Sequence, residues 1–165
     1  ILYNVPGRTS SNMLPETTLR LAQEFENIIA VKEASGDLDQ MTKLIKNKPA
    51  GFLVLSGDDN LVVPQLAAGA DGVISVLANA LPKRFSTMVQ AGLGGDFAKA
   101  REYHLLFSDI IPALFSHGNP AGVKAMLKLL GVLNSDQVRL PLVTLPKEAS
   151  DVLYRLISDA GIPIQ

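Results

Sequence analysis

Four short apolar segments recur along the first half of the chain, and the intervals between them carry helical periodicity. Ile1 to Val5 closes at Pro6-Gly7, and Ile28 to Lys32 closes at Gly36. Phe52 to Leu55 runs into Ser56-Gly57-Asp58, and Gly72 to Val76 follows Asp71. Helices are expected near 15–25, 38–47 and 60–69, with Pro15 in the favoured first-turn position and Gly69 as a stop. Short β-branched strands separated by helices imply a parallel sheet. Tyr3, Lys32 and Leu55 hold comparable strand positions 29 and 23 residues apart, close to one βα unit of an eight-unit barrel. The expected class is α/β: about four βα units, half of a (β/α)8 barrel. A doubly wound open sheet would give the same alternation, and periodicity does not separate the two.

From about residue 80 the alternation gives way to helices, expected at 82–93, 96–115, 120–131 and 147–160. Asp96 is a ready N-cap, Asn119-Pro120 reads as a cap followed by proline at the first helical position, and Gly131 is a stop. Leu105, Leu106, Ile110, Leu114 and Phe115 recur at helical spacing and read as a packed face. The stretch from Pro141 to Pro146 reads as a surface linker. Two regions follow: 1–80, the half-barrel, and 81–165, the last barrel helix with a helical extension. The chain opens on Ile1 rather than methionine, already in a strand-like run, so it is expected to begin in the middle of a fold.

Charge narrows the class of partner. A formal net charge of −1 argues against nucleic acid or an anionic membrane as the main partner. No apolar run reaches the roughly 18 residues of a membrane helix, and the N-terminus lacks the pattern of a signal peptide. With no cysteine, disulfides and thiolate-bound metals are excluded. A cytoplasmic enzyme is the expectation.

Lys32 is the residue that most suggests chemistry, because it ends a buried apolar strand. A neutral lysine amine is a nucleophile that forms a Schiff base with a ketone. The dull alternative is a lysine that snorkels to water or pairs with a neighbour, yet alternation turns the adjacent Glu33 to the opposite face. Tyr3 holds the matching position on the first strand, where a phenol can carry protons to and from a carbinolamine oxygen, or can simply be a core tyrosine. Arg8, in the turn beyond that strand, can hold a carboxylate in two-pronged fashion or lie solvated on the surface. Asn4 faces away from Tyr3 and suggests a structural hydrogen bond. Ser56 to Asp59 reads as a helix N-cap more readily than as a metal or phosphoacceptor site. Gly72 to Ser75, including Ile74, forms a tight strand whose carbonyls can face a ligand. His104 and His117 lack metal-type neighbours, and Gly92, Gly94 and Gly95 do not follow a strand as a dinucleotide loop would.

Five stretches together resemble the dihydrodipicolinate synthases of lysine biosynthesis, members of the pyruvate-dependent class I aldolase superfamily that includes N-acetylneuraminate lyase. They are Tyr3-Asn4-Val5-Pro6-Gly7-Arg8-Thr9, Val31-Lys32-Glu33-Ala34-Ser35-Gly36, Leu55-Ser56-Gly57-Asp58-Asp59, Gly72-Val73-Ile74-Ser75-Val76 and Asn119-Pro120-Ala121-Gly122-Val123-Lys124. The resemblance spans essentially the whole chain, as the second half of a family member. It implies that Lys32 forms the imine with pyruvate and that Tyr3 relays protons. It also implies that Arg8 binds the carboxylate end of L-aspartate 4-semialdehyde and that the Ile74 carbonyl lies beside the pyruvate pocket. Neither a metal nor an organic cofactor is implied. The implied assembly is a homo-oligomer, a tetramer in full-length relatives. A Gly-Thr-Thr-Gly-Glu segment, a second relay tyrosine from a neighbouring subunit and most of the lysine-inhibition site belong to the family's first half. The alternatives are another aldolase or lyase of the superfamily, and an inert half-barrel that only assembles.

Overall fold

A computed structural model describes residues 1–164. In chain order the first elements are β1 (Leu2–Asn4), α1 (Pro6–Thr9), α2 (Pro15–Glu24), β2 (Ala30–Glu33), α3 (Leu38–Asn47), β3 (Leu53–Ser56), α4 (Val62–Ala67) and β4 (Gly72–Val73). The four strands form one parallel sheet in the order β1-β2-β3-β4. A doubly wound sheet reverses its strand order at a switch point. The four strands here run in sequential order with no such reversal among them, the order found in a barrel wall.

The expected strands are all present, shifted by one or two residues, and the fourth is shorter than 72–76. Its start is pinned from below. Asp71 accepts the Val54 N–H at 2.7 Å and pairs with the Lys48 ammonium, while its own N–H donates to the Val54 carbonyl at 2.9 Å. One face of the sheet packs on helices. Val31 and Val54 point into it beside Met41 and Leu44 of α3 and Val62 and Leu66 of α4, all buried. Burying side chains of this size contributes about 1.5–3 kcal/mol each. Pro15 opens α2 as expected, and Asp37 caps α3 by accepting the Gln40 N–H at 3.0 Å. Ser56 does not cap α4. Its hydroxyl instead locks a turn by accepting the Asp58 N–H at 3.1 Å, and Leu61 is the cap of a helix that starts only at Val62.

The remaining elements are one tight helical turn (Leu77–Asn79), α5 (Pro82–Leu93), α6 (Phe97–Phe107), α7 (Ile110–Phe115), α8 (Ala121–Leu129) and α9 (Lys147–Asp159). The chain forms two compact units that interleave in sequence: residues 1–75 with 87–100, and residues 76–86 with 101–165. The second unit is built on Phe85, Phe107, Ile110, Leu114, Met126, Leu153 and Ile157, with the Phe85 and Phe107 rings stacked at 6.2 Å. Arg84 donates to the carbonyls of Ala160 and Gly161 at the end of α9, where a cation suits the exposed carbonyls. Asp96 caps α6 through the Lys99 N–H at 3.0 Å.

The single helix expected over 96–115 is two. Pro112 has no N–H to offer the Ser108 carbonyl and its ring crowds that carbonyl, so the chain turns at 108–109. The break shifts the helical phase. Ile110 and Leu114 are buried as expected, but Leu105 is 64% exposed and Phe115 also reaches the surface. Asn119 is likewise not the cap of α8, a position held by Pro120.

Candidate active site

Parallel pairing carries the ends of all four strands to one edge of the sheet, and Tyr3, Lys32, Arg8 and Ile74 lie on or just past those ends. Tyr3 stands directly opposite Lys32 in the β1–β2 register, and Lys32 opposite Leu55 in the β2–β3 register. The three side chains therefore share the sheet face turned away from the helices. Lys32 is half-buried, and its Nζ lies over the Tyr3 ring, 4.2 Å from the centroid. Such a contact attracts a lysine ammonium to the negative face of the ring. Tyr3 is itself 49% exposed, so the pair is open to a small ligand.

Arg8 follows on α1, a single turn begun by Pro6 and closed by Ser10 in the left-handed conformation, and its side chain is exposed. Ile74 lies just past β4, with its N–H donated to the Ser56 carbonyl at 2.9 Å and its side chain partly exposed. The structure thus joins Lys32 and Tyr3 in contact and sets Arg8, on the α1 turn, and Ile74, just past β4, at the same edge.

The opposite face carries a buried polar network beneath the lysine. Glu33 is 1% exposed. It accepts from Asn4 Nδ2 at 3.0 Å, from Gln40 Nε2 at 3.1 Å and from the Ser35 N–H at 2.8 Å. Asn4 Oδ1 accepts the Met13 N–H at 2.9 Å, and Asn12 bridges Asn4 and Gln40. A buried carboxylate is tolerated when hydrogen-bond donors surround it. Glu33 therefore does not pair with Lys32, and Asn4 is structural, both as alternation required. Gln40 and Asn12 were not singled out from sequence, since neither type nor spacing separates them from surface amides. The only available clue to them was the buried acid at Glu33.

Asp58, read from the sequence only within the Ser56 to Asp59 capping stretch, is partly buried in the structure. Burial pushes its carboxyl above the ordinary carboxylate range, opposed by the Gly36 N–H that it accepts. The negative charges of Glu33 and Asp59 push it higher, and the Lys32 ammonium pulls it down. Its Oδ2 is buried without a hydrogen-bond partner. A second anionic group thus feels the lysine directly, and its place two residues past a strand end was the available signal. No cluster of three or more His, Cys, Asp or Glu able to hold a metal ion occurs among the described residues. None of their helices is long and apolar enough to cross a membrane. Burial lowers the pKa of His104, and His117 is exposed beside Ser116.

The chain is similar to known proteins. A 4-hydroxy-tetrahydrodipicolinate synthase from Phocaeicola vulgatus is 57% identical over 143 residues, covering 87% of this chain and 48% of the relative. One from Cytophaga hutchinsonii is 46% identical over 164 residues, covering 99% of this chain and 53% of the relative. The crystal structure of dihydrodipicolinate synthase from Aquifex aeolicus superposes with a TM-score of 0.93 at 37% identity, over 99% of this chain and 55% of that one. The chain spans about half the length of the relatives it matches. Because the model of the dihydrodipicolinate synthetase family also matches residues 1–160, this parallel α/β chain with its lysine–tyrosine pair belongs to that family.

Proposed function

We propose that this chain carries the Schiff-base machinery of a 4-hydroxy-tetrahydrodipicolinate synthase, a lyase of the class I aldolase type in lysine and diaminopimelate biosynthesis. The observation that carries the reading is the Lys32 amine held over the Tyr3 ring at the C-terminal edge of a parallel sheet. That edge is where barrels of this type place their chemistry.

In this reading the Lys32 amine attacks the ketone carbon of pyruvate to give a carbinolamine. Tyr3 delivers a proton to the departing oxygen, water leaves, and a protonated imine remains. The positive nitrogen draws electrons from the methyl group, which loses a proton and becomes an enamine. The enamine carbon attacks the aldehyde of L-aspartate 4-semialdehyde, whose carboxylate is held by Arg8 and whose oxygen takes up a proton. The amino group of that substrate then adds to the imine carbon, closes the ring and releases the lysine amine. The Ile74 carbonyl borders the pyruvate site. Tyr3 regains its proton from the methyl group, passes it to the aldehyde oxygen and regains it from the attacking nitrogen as the ring closes, so the proton count balances without a further reactant.

The motif order and the half-length match support reading the four βα units as the second half of an eight-unit barrel. The protein is further read as cytoplasmic and homo-oligomeric. Borohydride reduction in the presence of pyruvate, followed by peptide mass spectrometry, tests the assignment. A reduced pyruvyl adduct on Lys32, lost in Lys32→Arg, is expected. Labelling scattered over surface lysines, unchanged in Lys32→Arg, would overturn it. The exposure of Tyr3, Leu53 and Ile74 favours one second reading, an inert half-barrel whose open face serves assembly. In that case light scattering shows a concentration-dependent oligomer while pyruvate leaves no adduct.

A further inference from the structure

We infer that Gly57 is a positioning residue for the Lys32 amine: its missing side chain is the space through which the lysine stem reaches the Tyr3 ring. This rests on the reading of Lys32 as the reacting amine. Gly57 extends the β2–β3 ladder past Ser56, donating its N–H to the Glu33 carbonyl at 2.7 Å. Alternation from Leu55 turns its α-carbon toward the face that bears Lys32 and Tyr3. Its φ is not positive, so no left-handed turn demands glycine here. Gly36, two residues past Ala34, is the opposite case: its φ is +76° and a β-carbon there would meet nothing within 4 Å.

At Gly57 the demand is clearance. A β-carbon would lie 2.5 Å from the Ala34 β-carbon, 3.1 Å from the Glu33 carbonyl oxygen and 3.1 Å from Lys32 Cε. The first two are fixed to the strand backbone, whereas Cε ends a flexible stem. Once Ala34 is trimmed, the lysine is the group that yields, and Nζ moves with it. A displacement of about 1 Å at a reacting atom slows chemistry by about 100-fold.

Because Gly57→Ala alone strains the strand through Ala34, the test uses the pair Ala34→Gly and Ala34→Gly/Gly57→Ala. With lysine labelled at its ε-carbon, the Lys32 resonance, identified by its loss in Lys32→Arg, is expected upfield of the other lysines because of the Tyr3 ring. It is expected to keep that position in Ala34→Gly, to move toward the other lysines in Ala34→Gly/Gly57→Ala, and to move further in Ala34→Gly/Gly57→Val. An unmoved resonance in both double variants overturns the inference. Pyruvate trapping is expected to slow about tenfold or more in the Ala34→Gly/Gly57→Ala chain relative to Ala34→Gly. If the unsubstituted chain traps no pyruvate, the proposed function fails, while the resonance still decides the role of Gly57. Should the double variants melt too low for spectra, the destabilisation from Gly57→Ala is compared in wild-type and Lys32→Ala backgrounds. A smaller loss without the lysine stem supports the inference, and an equal loss overturns it.

Discussion

At the scale of single residues, Lys32 and Tyr3 owe their meeting to parallel register, and their chemistry separates by substitution. Tyr3→Phe keeps the ring under the amine and removes only the hydroxyl. Pyruvate adducts on Lys32 are expected to persist but to form about 10²- to 10⁴-fold more slowly, read as the rate of borohydride-trapped product. Asp58 offers a test by pH. Its folded pKa is raised above 3.8, so between 3.8 and the raised value the native state binds more protons than the unfolded chain. Stability therefore falls as pH climbs through that window, and the penalty is fully present at neutrality. Asp58→Asn, which keeps an acceptor for the Gly36 N–H, is expected to raise the melting temperature by about 1–3 °C at pH 7. The gain should vanish below about pH 4, where both forms are neutral. A gain that instead grows in acid would contradict this account.

Among elements, β2 carries the most information per residue. Its outward Lys32 was legible because an ammonium ending an apolar run needs a reason, and its inward Glu33 because strands alternate. The partners that make Glu33 tolerable, Asn12 and Gln40, were not legible, since they arrive from a loop and from α3 and the chain bears no local mark of that convergence. The network predicts an order of damage. Glu33→Gln turns one acceptor into a donor facing other donors and is expected to lower unfolding free energy by about 1–3 kcal/mol in urea titration. Replacing Asn4 with aspartate, which sets a second carboxylate against Glu33, should cost more. Equal stability of all three proteins would remove the network from the account of β2. The α6–α7 break was legible in principle through Pro112, but the apolar spacing from Leu105 to Phe115 outweighed it. Periodicity is blind to a two-residue phase shift.

For the molecule as a whole, the parallel α/β class and the alignment of Tyr3 with Lys32 were readable because both depend on spacing, whereas clearance and burial depend on three-dimensional approach. Gly122 shows the difference in the second unit. A β-carbon there would lie 2.0 Å from the Leu114 carbonyl oxygen, so α7 and α8 meet backbone to backbone. Gly122→Ala is expected to melt several degrees lower, checked by calorimetry, although the residue is an ordinary helix glycine in sequence. In the first unit the sheet face away from the helices leaves Tyr3, Leu53 and Ile74 partly exposed. Exposed apolar sheet surface promotes association. Leu53→Glu is therefore expected to reduce the concentration dependence of light scattering while leaving the circular dichroism of the chain unchanged.

Adjacent residues of opposite charge on opposite faces make β2 intolerant of slippage. Sliding by one position would drive the ammonium of Lys32 into the layer lined by Val31 and Val54 and expel the carboxylate of Glu33 from its amide donors, two errors from one misstep. The neighbours Lys32-Glu33 thus act as a proofreading device for strand alignment, and the alignment that survives is the one that sets the Lys32 side chain over the Tyr3 ring.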